Sequence, residues 1–162
     1  MTKRKIIIGL SDANVSNNPQ DVLETYSLGS CMGVCLYDAS TTIGGMLHYQ
    51  LPSSTMNPGR AKQNPLMFAD TGMMFLINEM LVLGANKKHI KVKVAGGAAM
   101  DNGPIGFDIG KRNYLAIKKV LWQHGMFLEA EDVGGNSPRN MYMDIADGIV
   151  KIRINDFEKD LR

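Results

Sequence analysis

The sequence predicts an α+β fold, a layered mixed or antiparallel β core flanked by helices. Three observations carry this. Most of the chain divides into short apolar or alternating segments bounded by Gly, Pro, Asn and Asp. Only two segments have the length and end signals of substantial helices. Two pairs of strand segments are joined by hairpin-like turns. At 162 residues the chain fits one domain, residues 1–162, large enough to bury ~70% of its extended surface without disulfides or a structural metal.

In chain order, Lys5 to Gly9 reads as an opening strand, followed by a polar loop through Asn14, Asn17, Asn18 and Pro19. Val22 to Ser27 is a second strand. Met32 to Tyr37 and Thr42 to Tyr49 form a hairpin around Asp38-Ala39-Ser40-Thr41. Pro52 to Pro65, rich in Pro, Asn, Ser and Gly, reads equally as a connector or as a lip over a neighbouring site. Phe68 to Leu83 is a helix closed by Gly84, and its apolar residues cover most of the circumference, which argues a buried packing helix. Ile90 to Ala95 is a strand running into Gly96-Gly97, a stretch that lacks the lysine of a nucleotide P-loop and reads as a tight turn. Asp108 caps a helix from Ile109 to His124 that Gly125 ends. Phe127 to Val133 alternates as a strand. Met141 to Ala146 and Ile149 to Ile154 flank Asp147-Gly148, a two-residue hairpin signal.

The formal net charge is only +2, and aromatic residues are few. Lysines are dense only from Lys87 to Lys93, where Lys91 and Lys93 alternate with valines, so the stretch reads as a solvated strand face rather than a nucleic-acid surface. Lys3-Arg4-Lys5 precedes only three isoleucines, and no apolar run approaches the ~20 residues of a membrane span. Two cysteines that cannot readily pair fit a reducing compartment. These features together predict a cytoplasmic protein with no membrane insertion and no nucleic-acid partner.

Cys31 ends a glycine-bearing turn, Ser27-Leu28-Gly29-Ser30-Cys31, and His48 ends Gly44-Gly45-Met46-Leu47-His48. A cysteine attacks as thiolate, and an imidazole beside it is the usual means of taking its proton near neutral pH. If Tyr37 and Thr42 close the hairpin, Cys31 stands opposite His48 on one face, with Cβ atoms ~4.5–5.5 Å apart. Backbone amides of the turn at Gly29 and Ser30 can face the oxyanion of a tetrahedral intermediate. Thr25 lies an even number of residues before Cys31 and can hold the imidazole tautomer through its hydroxyl or carbonyl. The alternative is an inert buried thiol beside a structural histidine. On a strand, Cys31 and Cys35 are ~13 Å apart, beyond disulfide reach. Zinc lacks ligands, since His89 and His124 fall in other elements and no pair has finger-like spacing. No cofactor is expected.

The chain resembles the chemoreceptor glutamine deamidase family, CheD, over nearly its whole length. The resemblance rests on Leu28-Gly29-Ser30-Cys31, Cys35-Leu36-Tyr37-Asp38, Gly44-Gly45-Met46-Leu47-His48, Phe68-Ala69-Asp70, Leu83-Gly84-Ala85, Gly96-Gly97-Ala98, Phe107-Asp108-Ile109-Gly110-Lys111-Arg112-Asn113 and Glu131-Asp132-Val133-Gly134-Gly135-Asn136, in that order. It implies that Cys31, His48 and Thr25 are the family's catalytic residues. It also implies a three-layer fold similar to the catalytic domain of cytotoxic necrotizing factor, and deamidation of glutamines on the cytoplasmic helices of chemotaxis receptors through a thioester. A glutamyl methylesterase side activity and a CheC-type phosphatase partner are further implications. The competing reading is an adaptor that binds receptor or phosphatase with catalysis weak or lost.

Overall fold

The computed structural model describes residues 2–100 and 108–162, so Phe107 of the family-like block lies outside the described residues. The strands are β1 (Arg4–Ile7), β2 (Asp12–Ser16), β3 (Asp21–Leu28), β4 (Met32–Asp38), β5 (Ile43–Tyr49), β6 (Lys91–Gly96), β7 (Leu128–Val133), β8 (Arg139–Asp144), β9 (Val150–Ile154) and β10 (Phe157–Asp160). The helices are α1 (Pro58–Gln63), α2 (Ala69–Leu83) and α3 (Ile109–Gln123).

Two five-stranded mixed sheets result, in the orders β1-β3-β8-β9-β10 and β2-β5-β4-β6-β7. The pairs β1–β3 and β6–β7 are parallel, and the other pairs are antiparallel. The second sheet is the middle layer. On one face its Met32, Val34, Leu36, Leu47 and Tyr49 pack with Met73, Leu76, Ile77 and Met80 of α2 and with Ile117, Val120 and Leu121 of α3. On the other face, Cys35, Met46 and Ala95 pack with Leu23, Leu28, Met141, Met143 and Ile152 of the first sheet. Strands β4 and β5 are therefore covered on both faces, which explains why they read as nearly unbroken apolar and glycine runs rather than as alternating strands.

The helix ends follow their caps. The Asp108 side chain accepts from the Lys111 N–H at 3.0 Å, and Gly84, at φ +117°, closes α2 with its N–H on the Met80 and Leu81 carbonyls. α2 departs from the expected full burial: Met73, Leu76, Ile77 and Met80 are in the core, but Met74 and Val82 are exposed. Pro52 to Pro65 is an ordered connector, with α1 between two 3-10 turns capped by the side chains of Ser53, Asn57 and Asn64.

Three strand details depart from expectation. The segment read as a polar loop contains β2, an edge strand with only Ala13 and Val15 turned toward the helical core, and β10 is exposed throughout, so neither carries an apolar signature. Asp147-Gly148 is not a two-residue turn. The β8–β9 ladder ends at Met143↔Val150, because Ile145 leaves the ladder to bury its side chain and give its N–H to the Asp21 carbonyl. The β4–β5 hairpin closes at Asp38↔Ile43 instead of Tyr37/Thr42: Thr42 sits at φ +56°, and Asp38 anchors the turn by accepting from the Ser40 N–H and Oγ.

Candidate functional site

That last difference moves the register by two. His48 pairs with Gly33, not with Cys31, so Cys31 lies diagonal to His48, one residue before the start of β4. A two-residue shift preserves the face. The ladder to β6 also continues through Cys31, whose carbonyl accepts from the Gly97 N–H at 2.9 Å, and its side chain packs with the inter-sheet core. Cys31 and His48 thus share the inter-sheet face at its open end. Cys31 is partly exposed, whereas His48 is 4% and Thr25 0% exposed.

Thr25 reaches His48 from the opposite sheet. Its Oγ1 lies 2.7 Å from His48 Nδ1 and 2.8 Å from the Ile8 carbonyl oxygen. The hydroxyl has one proton, and a carbonyl oxygen can only accept, so Thr25 donates to Ile8 and accepts from Nδ1–H. That assignment fixes the tautomer. Nε2 is left with its lone pair, buried and without a hydrogen-bond partner among the described residues. Here the side-chain hydroxyl, rather than the carbonyl, is the group that orients the ring.

Burial governs both titrations. It lowers the His48 pKa to about 4 and raises that of the Cys31 thiol, against which the Cys31 backbone N–H, hydrogen-bonded to its own sulfur, pulls downward. The resting pair is therefore a thiol and a neutral imidazole. A stability prediction follows. The unfolded chain takes up a proton at the ordinary histidine value of 6.5, and the folded protein only near 4. Above pH 6.5 the contribution is complete, and it is lost as pH falls toward 4, to a total of about 3 kcal/mol. Urea unfolding from pH 7 to pH 4 is expected to show this loss in the native protein and its absence in His48→Gln.

The turn before Cys31 is held carbonyl by carbonyl. Gly29 O accepts from Ala98 N–H at 2.8 Å, Ser30 O from Asn113 Nδ2 at 2.9 Å and Cys31 O from Gly97 N–H. Gly29 N–H is committed to the Ser27 carbonyl at 2.9 Å, which removes it from the expected oxyanion donors. The Cys31 N–H, by contrast, is taken by no carbonyl among the described residues. Gly96 permits the close approach: it sits at φ +114°, and a Cβ there would lie 2.2 Å from the Cys31 carbonyl oxygen. The Gly96-Gly97-Ala98 stretch, read from sequence as a plain turn, is thus the cradle of the cysteine turn. Sequence reading also passed over Asn113, whose only signal was its place in the family-like block.

Cys35, two pleat repeats further along the same face, is buried, and both thiols are free. Among the described residues no three His, Cys, Asp or Glu side chains stand together as a metal site, and no helix is long and apolar enough to cross a membrane.

Comparison with known proteins places this arrangement. A solved structure, that of Neisseria meningitidis protein NMB0706 of the family model DUF152, matches with a TM-score of 0.51 at 11% identity, covering 83% of this chain and 64% of that one. It shares the layered fold. This structural neighbour is not the expected cytotoxic necrotizing factor domain. A probable chemoreceptor glutamine deamidase CheD of Solibacter usitatus is 46% identical over 157 residues, 97% of this chain and 93% of that protein. A probable chemoreceptor glutamine deamidase CheD 1 of Syntrophus aciditrophicus is 42% identical over 148 residues, 91% of this chain and 92% of the relative. A further probable CheD of Clostridium novyi is 43% identical over 156 residues, 94% of each chain. The family model described as CheD chemotactic sensory transduction matches residues 50–154, and with relatives this similar along the whole length, the chain belongs to the CheD family.

Proposed function

We propose that this chain, acting as one domain, is a protein-glutamine deamidase that converts glutamines on the cytoplasmic helices of chemotaxis receptors to glutamate, with Cys31 as nucleophile. The observation that carries the reading is the chain Ile8 O, Thr25 Oγ1, His48 Nδ1, which leaves Nε2 as a free base on the face shared with Cys31.

In the first half-reaction, Nε2 takes the Sγ proton as the sulfur adds to the carboxamide carbon, and the oxyanion forms beside the Cys31 N–H. The imidazolium, steadied by its stronger bond to Thr25, returns the proton to the departing nitrogen. Ammonia leaves and a thioester remains. In the second half-reaction, Nε2 takes a proton from water as it attacks the thioester carbon. Cys31 leaves as thiolate, regains that proton, and the product is glutamate.

A glutamyl methyl ester would give the same thioester with methanol as leaving group, so methylesterase activity accompanies this proposal. A cytoplasmic location and a CheC-type phosphatase partner belong to the same reading. So does a bordering role for Pro52 to Pro65, which follows directly on the strand of His48.

The substrate class is tested by ammonia release. Remote contacts with a folded helix can position the reacting carbon and lower the barrier by several kcal/mol, which free glutamine cannot exploit. Purified receptor cytoplasmic fragments should release ammonia steadily and free glutamine hardly at all. Rapid turnover of free glutamine with inert receptor would point instead to a metabolic amidase.

A further inference from the structure

We infer that Asn113 is the positioning residue of the nucleophile turn, orienting the Ser30–Cys31 peptide so that the Cys31 N–H faces the oxyanion, and tying that turn to the strand of His48. The inference rests on the deamidase reading above.

Asn113 is fully buried on α3, and its Nδ2 donates to two carbonyls, Ser30 O at 2.9 Å and Gln50 O at 2.8 Å. Two acceptors around one end of the carboxamide admit only the NH₂ group there, so its orientation is settled by chemistry. The first bond acts on the nucleophile. In a planar trans peptide the C=O and N–H point opposite ways, so fixing Ser30 O fixes the direction of the Cys31 N–H. No carbonyl takes that N–H among the described residues, so it is open to an oxyanion. Donation to Ser30 O also polarises the peptide and strengthens its N–H as a donor.

The second bond acts on the base. Gln50 is two residues beyond His48, and between them Tyr49 gives its O–H to the Asn113 carbonyl at 2.6 Å. One helical residue therefore bonds both to the cysteine turn and to the residue just past the histidine strand, adding to the β4–β5 ladder that pairs Met32 with Tyr49. Meanwhile Asn113 Oδ1 is buried with no partner among the described residues. The orphan acceptor offsets part of the stability that the two donated bonds contribute.

The test is steady-state deamidation of a receptor cytoplasmic fragment by Asn113→Ala, with Asn113→Ser as a milder second variant should the first not fold. The expected result is a fall in kcat of about 10²-fold, the scale of losing one oxyanion donor, with KM within about threefold of the native value. The pH midpoint of Cys31 alkylation by iodoacetamide should also move upward, since the Ser30–Cys31 peptide is no longer held by its carbonyl. Ile117→Val, which trims the core under the same helix without touching the turn, serves as the stability control and should keep both kcat and the alkylation midpoint. Native kcat in a folded Asn113 variant, or equal kcat losses in Asn113 and Ile117 variants of matched unfolding midpoint, would overturn the inference alone. A native protein that releases no ammonia from receptor would instead overturn the deamidase reading, and this inference with it.

Discussion

Cys31→Ser is expected to lower receptor deamidation by at least about 10³-fold, while Cys35→Ser keeps activity within about threefold. The two thiols differ in surroundings rather than in type. Cys31 is partly exposed and follows the cradled turn, whereas Cys35 is 2% exposed among Met46, Met143 and Ala95. Burial drives the Cys35 thiol far upward, only slightly offset by the charge of Lys93, so it is inert at neutral pH. Serine at position 31 presents a hydroxyl whose pKa is beyond what a neutral, buried imidazole can overcome. At position 35 the same change buries a hydroxyl and costs about 1–2 kcal/mol of stability, visible in urea melts but not in turnover. Equal losses of activity in both variants, with circular dichroism unchanged, would contradict the assignment.

His48→Ala is the second large effect. Without Nε2 nothing on the shared face accepts the thiol proton during attack, so deamidation should fall by about 10³–10⁴-fold and alkylation of Cys31 by iodoacetamide near pH 7 should slow with it. Thr25→Ala should be milder, about 10–100-fold in kcat, because the imidazole persists and only its tautomer and orientation are freed. The order matters more than the sizes. Alkylation as fast in His48→Ala as in the native protein, or a Thr25 effect exceeding that of His48, would exclude the proton path described here.

Much of the candidate site's geometry was legible because strand parity is robust. The hairpin register was misjudged by two residues, as Thr42 took a left-handed conformation and Asp38 became the turn anchor. An even shift nonetheless left Cys31 and His48 on one face. The helix limits were legible from local chemistry, in the Asp108 cap and the glycines at 84 and 125, all of which act within one turn. What escaped was tertiary. Edge strands β2 and β10 bury too little to alternate visibly, and Ile145 leaves its ladder for a carbonyl on Asp21, more than a hundred residues away. The clamp of Asn113 on Ser30 and Gln50 joins residues 83 and 63 positions apart, and no periodicity encodes it. Nor does spacing reveal that Gly29 N–H turns inward to Ser27 while no carbonyl takes the Cys31 N–H among the described residues.

The most direct measurement of the central claim is peptide mass spectrometry of a receptor cytoplasmic fragment after incubation with native protein or with Cys31→Ala. Conversion of carboxamide to carboxylate exchanges NH₂ for OH and adds about one mass unit per site. The native protein is expected to produce that gain at discrete glutamines on the receptor helices, and Cys31→Ala to produce none. The same gain with both proteins, or with neither under conditions where the native fold is intact, would contradict Cys31-dependent deamidation of receptors.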